Sequence, residues 1–141
     1  MTLRVVRLGS ERHPHEGLRI GTVRRPPRAV AKQDYARRDF FDVWLPLLAP
    51  SEALLRAVQA GGTDERSWRT FVRKFRSEMK RPDAARTLDL LAALSHATQL
   101  SVGCYCAEET HCHRRILREL LTERGAAFAA LDPPISPQST L

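Results

Sequence analysis

The sequence predicts a small layered α/β fold, with a mostly parallel sheet flanked by helices. Short apolar segments of strand length lie at residues 3–8, 18–23 and 99–106, and segments with helical periodicity separate the last two and follow the third. Strands that alternate with helices favour a parallel sheet covered by helices. A chain of 141 residues is also the size of one domain with its own core.

The two earliest strands lie on either side of a polar loop. In the second, alternation places Leu18 and Ile20 on one face and Arg19 on the other. Two prolines within residues 24–28 end this strand, because proline cannot continue a central ladder. Residues 29–50 are irregular but rich in aromatic anchors, so we expect a packed excursion there.

Three amphipathic helices are predicted between this excursion and the last strand. Ser51 and Asp64 are suitable N-caps for the first two, and Pro82 suits the first turn of the third. Their predicted apolar positions are Leu54, Leu55 and Val58; Trp68, Phe71, Val72, Phe75 and Met79; and Ala85, Leu88, Leu91, Ala92 and Leu94.

The C-terminal part of the domain reads as one strand–loop–helix unit. Residues 99–106 form a buried strand, and Thr110 is the predicted N-cap of the last helix. Residues 126–131 add an edge strand. We expect a single domain over residues 1–131 and a disordered tail over 132–141, which has three prolines and no apolar period. The inward positions of the last helix are Ile116, Leu117, Leu120 and Leu121.

All three cysteines lie in this last unit. Cys104 and Cys106 share one strand face, ~7 Å apart at ~3.3 Å per residue, and Cys112 lies at the predicted helix start. Ligands of open α/β sheets bind at the carboxyl ends of strands. Cys106 and the basic segment 24–28 both follow such ends, so they face one pocket if the two strands are parallel neighbours.

The same segments resemble a known family. Cys104-Tyr105-Cys106, five residues, then Cys112-His113-Arg114 and a leucine-rich helix are similar to domain-of-unknown-function family 488. The resemblance covers residues 3–125 and implies an α/β fold but no particular activity. Val23 and Pro26 depart from the family pattern, which often has Asp and Trp there, and some relatives lack the cysteines. Further matching positions are Gly17, Arg19, Arg24, Pro27 and Arg28; Trp44, Pro50, Ser51 and Leu54; and Trp68, Phe71, Phe75 and Glu78.

The first functional hypothesis is a pocket for a small anionic ligand with a reactive thiol. A thiol at a helix N-terminus is favoured as thiolate, so Cys112 is the candidate nucleophile or redox thiol. His113 is the candidate general base or orienting residue. Free amides and arginine forks suit a phosphate or carboxylate. The residues assigned to the ligand are Arg24, Arg28, Arg114 and Cys106.

The second hypothesis is a metal site of the Cys₃His kind, which holds structural zinc in many proteins. Cys104, Cys106 and Cys112 supply the sulfur ligands, and His111 or His113 supplies the fourth ligand. Zinc or iron is the expected metal. The spacing Cys-x-Cys is not that of the usual zinc knuckle, so this hypothesis stands beside the first.

The third hypothesis is a basic accessory protein that binds nucleic acid. The formal net charge of +7 favours anionic partners, but no reading helix, finger or aromatic strand platform is present. We expect a cytoplasmic protein with no membrane segment, because no apolar run approaches ~20 residues and no secretory h-region is visible. The sequence does not decide whether the protein is an enzyme.

Overall fold

The computed structural model describes residues 1–107 and 109–130. Within them lies one four-stranded sheet in the order β1-β4-β2-β3, and all three pairings are parallel. The predicted α/β class is therefore confirmed. The strands are β1 (Leu3–Arg7), β2 (Leu18–Gly21), β3 (Val43–Trp44) and β4 (Leu100–Cys104).

Four α-helices flank the sheet in the described part of the chain. Ser51 accepts a hydrogen bond from the Leu54 amide and Asp64 accepts one from the Ser67 amide, so both predicted N-caps are confirmed. None of these helices is both long and apolar enough to cross a membrane. The helices are α1 (Glu52–Ala60), α2 (Glu65–Glu78), α3 (Pro82–Leu94) and α4 (His113–Glu123), and single 3₁₀ turns lie at Lys32–Asp34 and Pro46–Leu48.

The main hydrophobic core lies between the helices and one face of the sheet. The helical periodicity predicted most residues of this core: Phe75, Leu88 and Leu117, for example, are fully buried. Val58 is an exception: it was expected on the buried face of α1, but it is 47% exposed. Strand residues that contribute to this core are Leu3, Ile20, Leu100 and Val102.

The other face of the sheet contains a buried ion pair. The Arg19 guanidinium is fully buried and donates two hydrogen bonds to the Glu16 carboxylate, of 2.6 and 2.8 Å. Ser101 of β4 donates to the same carboxylate. Burial raises the pKa of Glu16, but hydrogen bonding and charge from Arg19 outweigh this and bring the pKa below its ordinary 4.5. The pair therefore stabilises the fold above pH 4.5, and this contribution is lost as the pH falls through the lowered pKa.

Several predicted boundaries were wrong. The last strand ends at Cys104 and not at residue 106, and α4 begins at His113, with Cys112 and not Thr110 as its N-cap residue. Strand β3 was not predicted at all. The predicted edge strand is only one parallel bridge between Leu3 and Phe128. The predicted tail, residues 132–141, lies outside the described residues.

Replacing Arg19 by Met leaves the Glu16 carboxylate buried without its cation. We expect the free energy of unfolding at pH 7 to fall by about 3–5 kcal/mol, the usual cost of breaking a buried pair from one side. Urea denaturation followed by circular dichroism measures this change. The control is Arg25→Ala, which removes one partner of the exposed Arg25–Glu52 pair and is expected to leave the midpoint nearly unchanged. Equal effects of the two variants would contradict the assignment.

Candidate functional site

Three cysteine side chains converge at the carboxyl edge of the sheet. Cys104 ends β4, Cys106 follows in the loop, and Cys112 directly precedes α4. A backbone hydrogen bond from the Cys112 amide to Glu109 turns the chain back toward β4. The three sulfur atoms lie within 4.8 Å of one another, and those of Cys104 and Cys112 are 2.7 Å apart. Cys104 and Cys112 are buried, whereas Cys106 is exposed.

Arg114, in the first turn of α4, holds the cysteine loop in place. Its side chain is only 4% exposed, and it donates a 2.8 Å hydrogen bond to the carbonyl oxygen of Cys106. Its Nε is buried without a partner, and within residues 1–107 and 109–130 no carboxylate pairs with it. A buried cation needs a nearby negative charge, and the thiol cluster is beside it.

His113 is held in one tautomer. Its Nε2 lies 2.6 Å from the carbonyl oxygen of Thr22, and because a carbonyl only accepts, Nε2 carries the proton. Nδ1 is therefore unprotonated, and it lies 3.9 Å from the Cys112 sulfur. Close packing removes water from the ring and lowers the pKa of His113 to about 4. At neutral pH the side chain is a neutral donor of an electron pair.

The three thiols differ in the direction in which their pKa values are shifted. Hydrogen bonds from Cys104 and Cys112 lower the pKa of Cys106, and the positive charge of Arg114 acts in the same direction. Hydrogen bonding to the other two sulfurs, with burial, raises the pKa of Cys104. The contact with Cys104 lowers the pKa of Cys112, but its hydrogen bond with Cys106 and its burial outweigh this and raise the value to about 11. These directions favour Cys106 as the first of the three thiols to ionise.

The basic segment 24–28 lies at the same edge of the sheet, because β2 and β4 are parallel neighbours. The Arg24 guanidinium is occupied by backbone, since it donates to the carbonyl oxygens of Pro50 at 2.9 Å and Ala49 at 3.2 Å. Arg28 is exposed. The Tyr105 hydroxyl donates to the Arg25 carbonyl oxygen, which ties this segment to the cysteine loop.

His111 lies away from the sulfur cluster. Its ring packs edge-on against Trp68 at 5.0 Å between centroids, and its Nε2 is 3.5 Å from the Glu65 carboxylate. Of the two histidines proposed as a fourth ligand, only His113 has a nitrogen within 4 Å of a cysteine sulfur in the described residues.

A cleft of about 720 Å³ opens beside the cluster, between α1, α2 and the start of α4. Cys106, Cys112 and His113 form part of its lining, whereas Arg24, Arg28 and Arg114 do not. The sequence pattern does not reveal this cleft, because the helical periodicity of Val58 and Trp68 predicts core positions for both. The apolar lining residues include Leu54, Leu55, Val58, Trp68 and Phe71.

The fold and site together define a small parallel α/β protein with three cysteine side chains gathered at the carboxyl edge of its sheet. A family model described as the active DUF488-N3 subclade, DUF488-N3a, matches residues 3–125. The chain therefore belongs to this DUF488 subclade, which confirms the DUF488 family membership that the motifs predicted. No curated protein and no solved structure matches the chain at the significance required.

The unequal exposure of the cysteines predicts their order of alkylation. In protein stripped of metal by a chelator, we expect Cys106 to react with iodoacetamide at least about tenfold faster than Cys104 and Cys112, because reagent access limits buried thiols. Peptide mass spectrometry over a time course measures the three rates. In urea the differences should disappear. Uniformly slow labelling of all three cysteines in the folded protein would contradict the arrangement.

Proposed function

We propose that the protein binds a zinc or iron ion through Cys104, Cys106 and Cys112. The observation that carries this proposal is the convergence of three sulfur atoms within 4.8 Å. At Zn–S bonds of about 2.3 Å, the sulfurs of a tetrahedral site are about 3.8 Å apart. An ion therefore fits between these side chains once the sulfurs of Cys104 and Cys112 separate by about 1 Å.

His113 is the fourth ligand in this proposal. In a tetrahedral site with zinc–nitrogen bonds of about 2.0 Å, sulfur and nitrogen are about 3.5 Å apart, within 0.4 Å of the observed 3.9 Å between Cys112 Sγ and His113 Nδ1. Histidine ligands usually donate their other N–H to a carbonyl or carboxylate, which fixes the ring. The hydrogen bond from His113 Nε2 to Thr22 supplies this orientation.

The donor set also indicates the class of metal. Thiolate and imidazole ligands together suit zinc and iron, whereas magnesium and calcium prefer oxygen. Cys106 is the exposed member of the set and lines the cleft. The ion would therefore lie beside the cleft, and with four protein ligands its coordination would be closed, as in structural metal sites.

The test is the metal content of protein purified without chelator and without a metal-affinity step. We expect about one zinc or iron ion per chain by elemental mass spectrometry, as for a four-ligand site. Cys112→Ser should abolish binding, and His113→Ala should weaken it by about 10- to 100-fold or more, the scale on which supporting groups affect metal sites.

The matched control is His111→Ala, since His111 lies two residues before His113 in the sequence but packs against Trp68. This variant should keep its metal. Wild-type protein that contains no metal and takes up neither ion on titration would refute the proposal. Equal metal loss in the His111 and His113 variants would refute only the role of His113 as the fourth ligand.

A second candidate function is thiol chemistry on a small ligand that bears a phosphate or carboxylate. The observation that favours it is the exposure of Cys106 at the cleft. The sequence analysis assigned the nucleophile to Cys112, with His113 as base, but Cys112 is only 3% exposed. The role therefore passes to Cys106 in this candidate, with Arg114 behind it and Arg28 at the same edge of the sheet.

One anionic and one neutral alkylating reagent, iodoacetate and iodoacetamide, test this candidate. If the surroundings of Cys106 attract anions, its rate ratio for iodoacetate over iodoacetamide should exceed the ratio for free glutathione by about threefold or more, a size typical of partly screened charges. Arg28→Ala should reduce the ratio, and Lys80→Ala, in the turn between α2 and α3, should not. A ratio equal to that of glutathione would contradict the candidate.

A further inference from the structure

We propose that the cleft binds a small aromatic molecule that carries an anionic group. The proposal concerns the cleft between α1 and α2, and it does not depend on a metal at the cysteine cluster. A volume of about 720 Å³ falls within the range of about 300–1,000 Å³ typical of small-molecule sites. The position also fits, because the cleft borders the carboxyl edge of a parallel sheet, where such folds bind ligands.

Apolar side chains on both walls specify the body of the ligand. On α1, Leu55 is half-buried and Val58 is 47% exposed, and both line the cleft. On α2, Trp68 stacks on Phe71 at 5.5 Å between centroids and presents an aromatic surface to the cleft. A flat ring between these walls would cover the exposed apolar surface and gain stacking contacts.

Two cations on α2 specify the charge of the ligand. Arg66 and Lys74 both line the cleft, eight residues apart and thus on the same helical side, with Thr70 between them. Within the described residues neither has an ion pair with a carboxylate. The lining contains one acidic residue, Asp64, whose carboxylate caps α2 by accepting from the Ser67 amide. The charged side chains that α2 and its N-cap contribute to the lining are Arg66, Lys74 and Asp64, so an anionic group beside α2 meets a net positive charge.

The probes are 1-anilinonaphthalene-8-sulfonate, an aromatic anion, and N-phenyl-1-naphthylamine, which has the same rings without the sulfonate. We expect saturable binding of the anionic probe to one site in the folded protein, measured by fluorescence titration. Lys74→Glu should weaken the affinity for the anionic probe by about fivefold, the scale of one partly exposed charge contact, and leave the affinity for the neutral probe unchanged. Val58→Asp should weaken the affinity for both probes.

Matched controls separate the cleft from general surface effects. Lys80→Glu makes the same charge change outside the cleft lining, and Leu90→Asp makes the same apolar-to-acid change at a residue of α3 that is 57% exposed. Neither should alter the affinity for either probe. Equal effects of Lys74→Glu and Lys80→Glu would overturn the assigned charge, and equal effects of Val58→Asp and Leu90→Asp would overturn the cleft as the site.

The outcome is distinguishable from failure of the metal proposal. Cys104→Ser, which changes a proposed metal ligand outside the cleft lining, should lose metal but retain binding of both probes, whereas Val58→Asp should lose probe binding but retain metal. Thermal melts by circular dichroism confirm that each variant is folded, so a loss of probe binding without a loss of melting temperature is assigned to the cleft. Probe binding that is lost in Cys104→Ser but retained in Val58→Asp would refute the inference.

Discussion

The position of β4 between β1 and β2 is the constraint on which the site depends. Because all three strands are parallel, the segments that follow β2 and β4 must leave the sheet at the same edge. Gly17 permits this pairing: its φ is +71°, and a Cβ there would lie 2.1 Å from the Gln99 carbonyl oxygen. The hydrogen bond from His113 to Thr22 then joins α4 to the end of β2. The cysteines are thus brought together by the sheet, although they are close in sequence.

Periodicity predicted the helices and strands that bury one side-chain face. It did not predict elements that are held only by backbone hydrogen bonds. The helix pattern of α2 was recovered because Phe71 and Phe75 are buried at helical spacing. Strand β3 has only two residues, both exposed, and it exists because amides such as that of Leu45 donate to β2. No side-chain pattern records such a pairing. The start of α4 was mispredicted for the same reason. Thr110 has a suitable side chain for a cap, but a backbone turn from Glu109 to Cys112 precedes the helix and brings Cys112 against Cys104.

The surroundings of charged residues could not be predicted from the sequence pattern, for a related reason. Alternation correctly separated Arg19 from Ile20, but it does not reveal that the second face of the sheet is also covered, which turns Arg19 into half of a buried ion pair. Arg114 was assigned to a ligand on its residue type, and that role stays a prediction; the pattern did not show that its side chain is buried beneath the cysteine loop. Whether an arginine meets solvent, a ligand or a carbonyl is decided by tertiary packing, which one sequence does not show.

The buried charge of Arg114 bears on which ion the proposed metal site would suit. When Cys106, the cysteine whose pKa is lowered, ionises before the other two, the sulfur cluster carries one negative charge, which matches the guanidinium. Three thiolates around a divalent ion would also carry one net negative charge, because metal binding displaces the two remaining thiol protons. In the proposed site, the metal-bound and metal-free states would therefore present the same charge to Arg114. A monovalent ion with three thiolates would leave an additional negative charge in a largely buried place, where uncompensated charge is costly, so the proposed site would favour zinc or ferrous iron over cuprous copper.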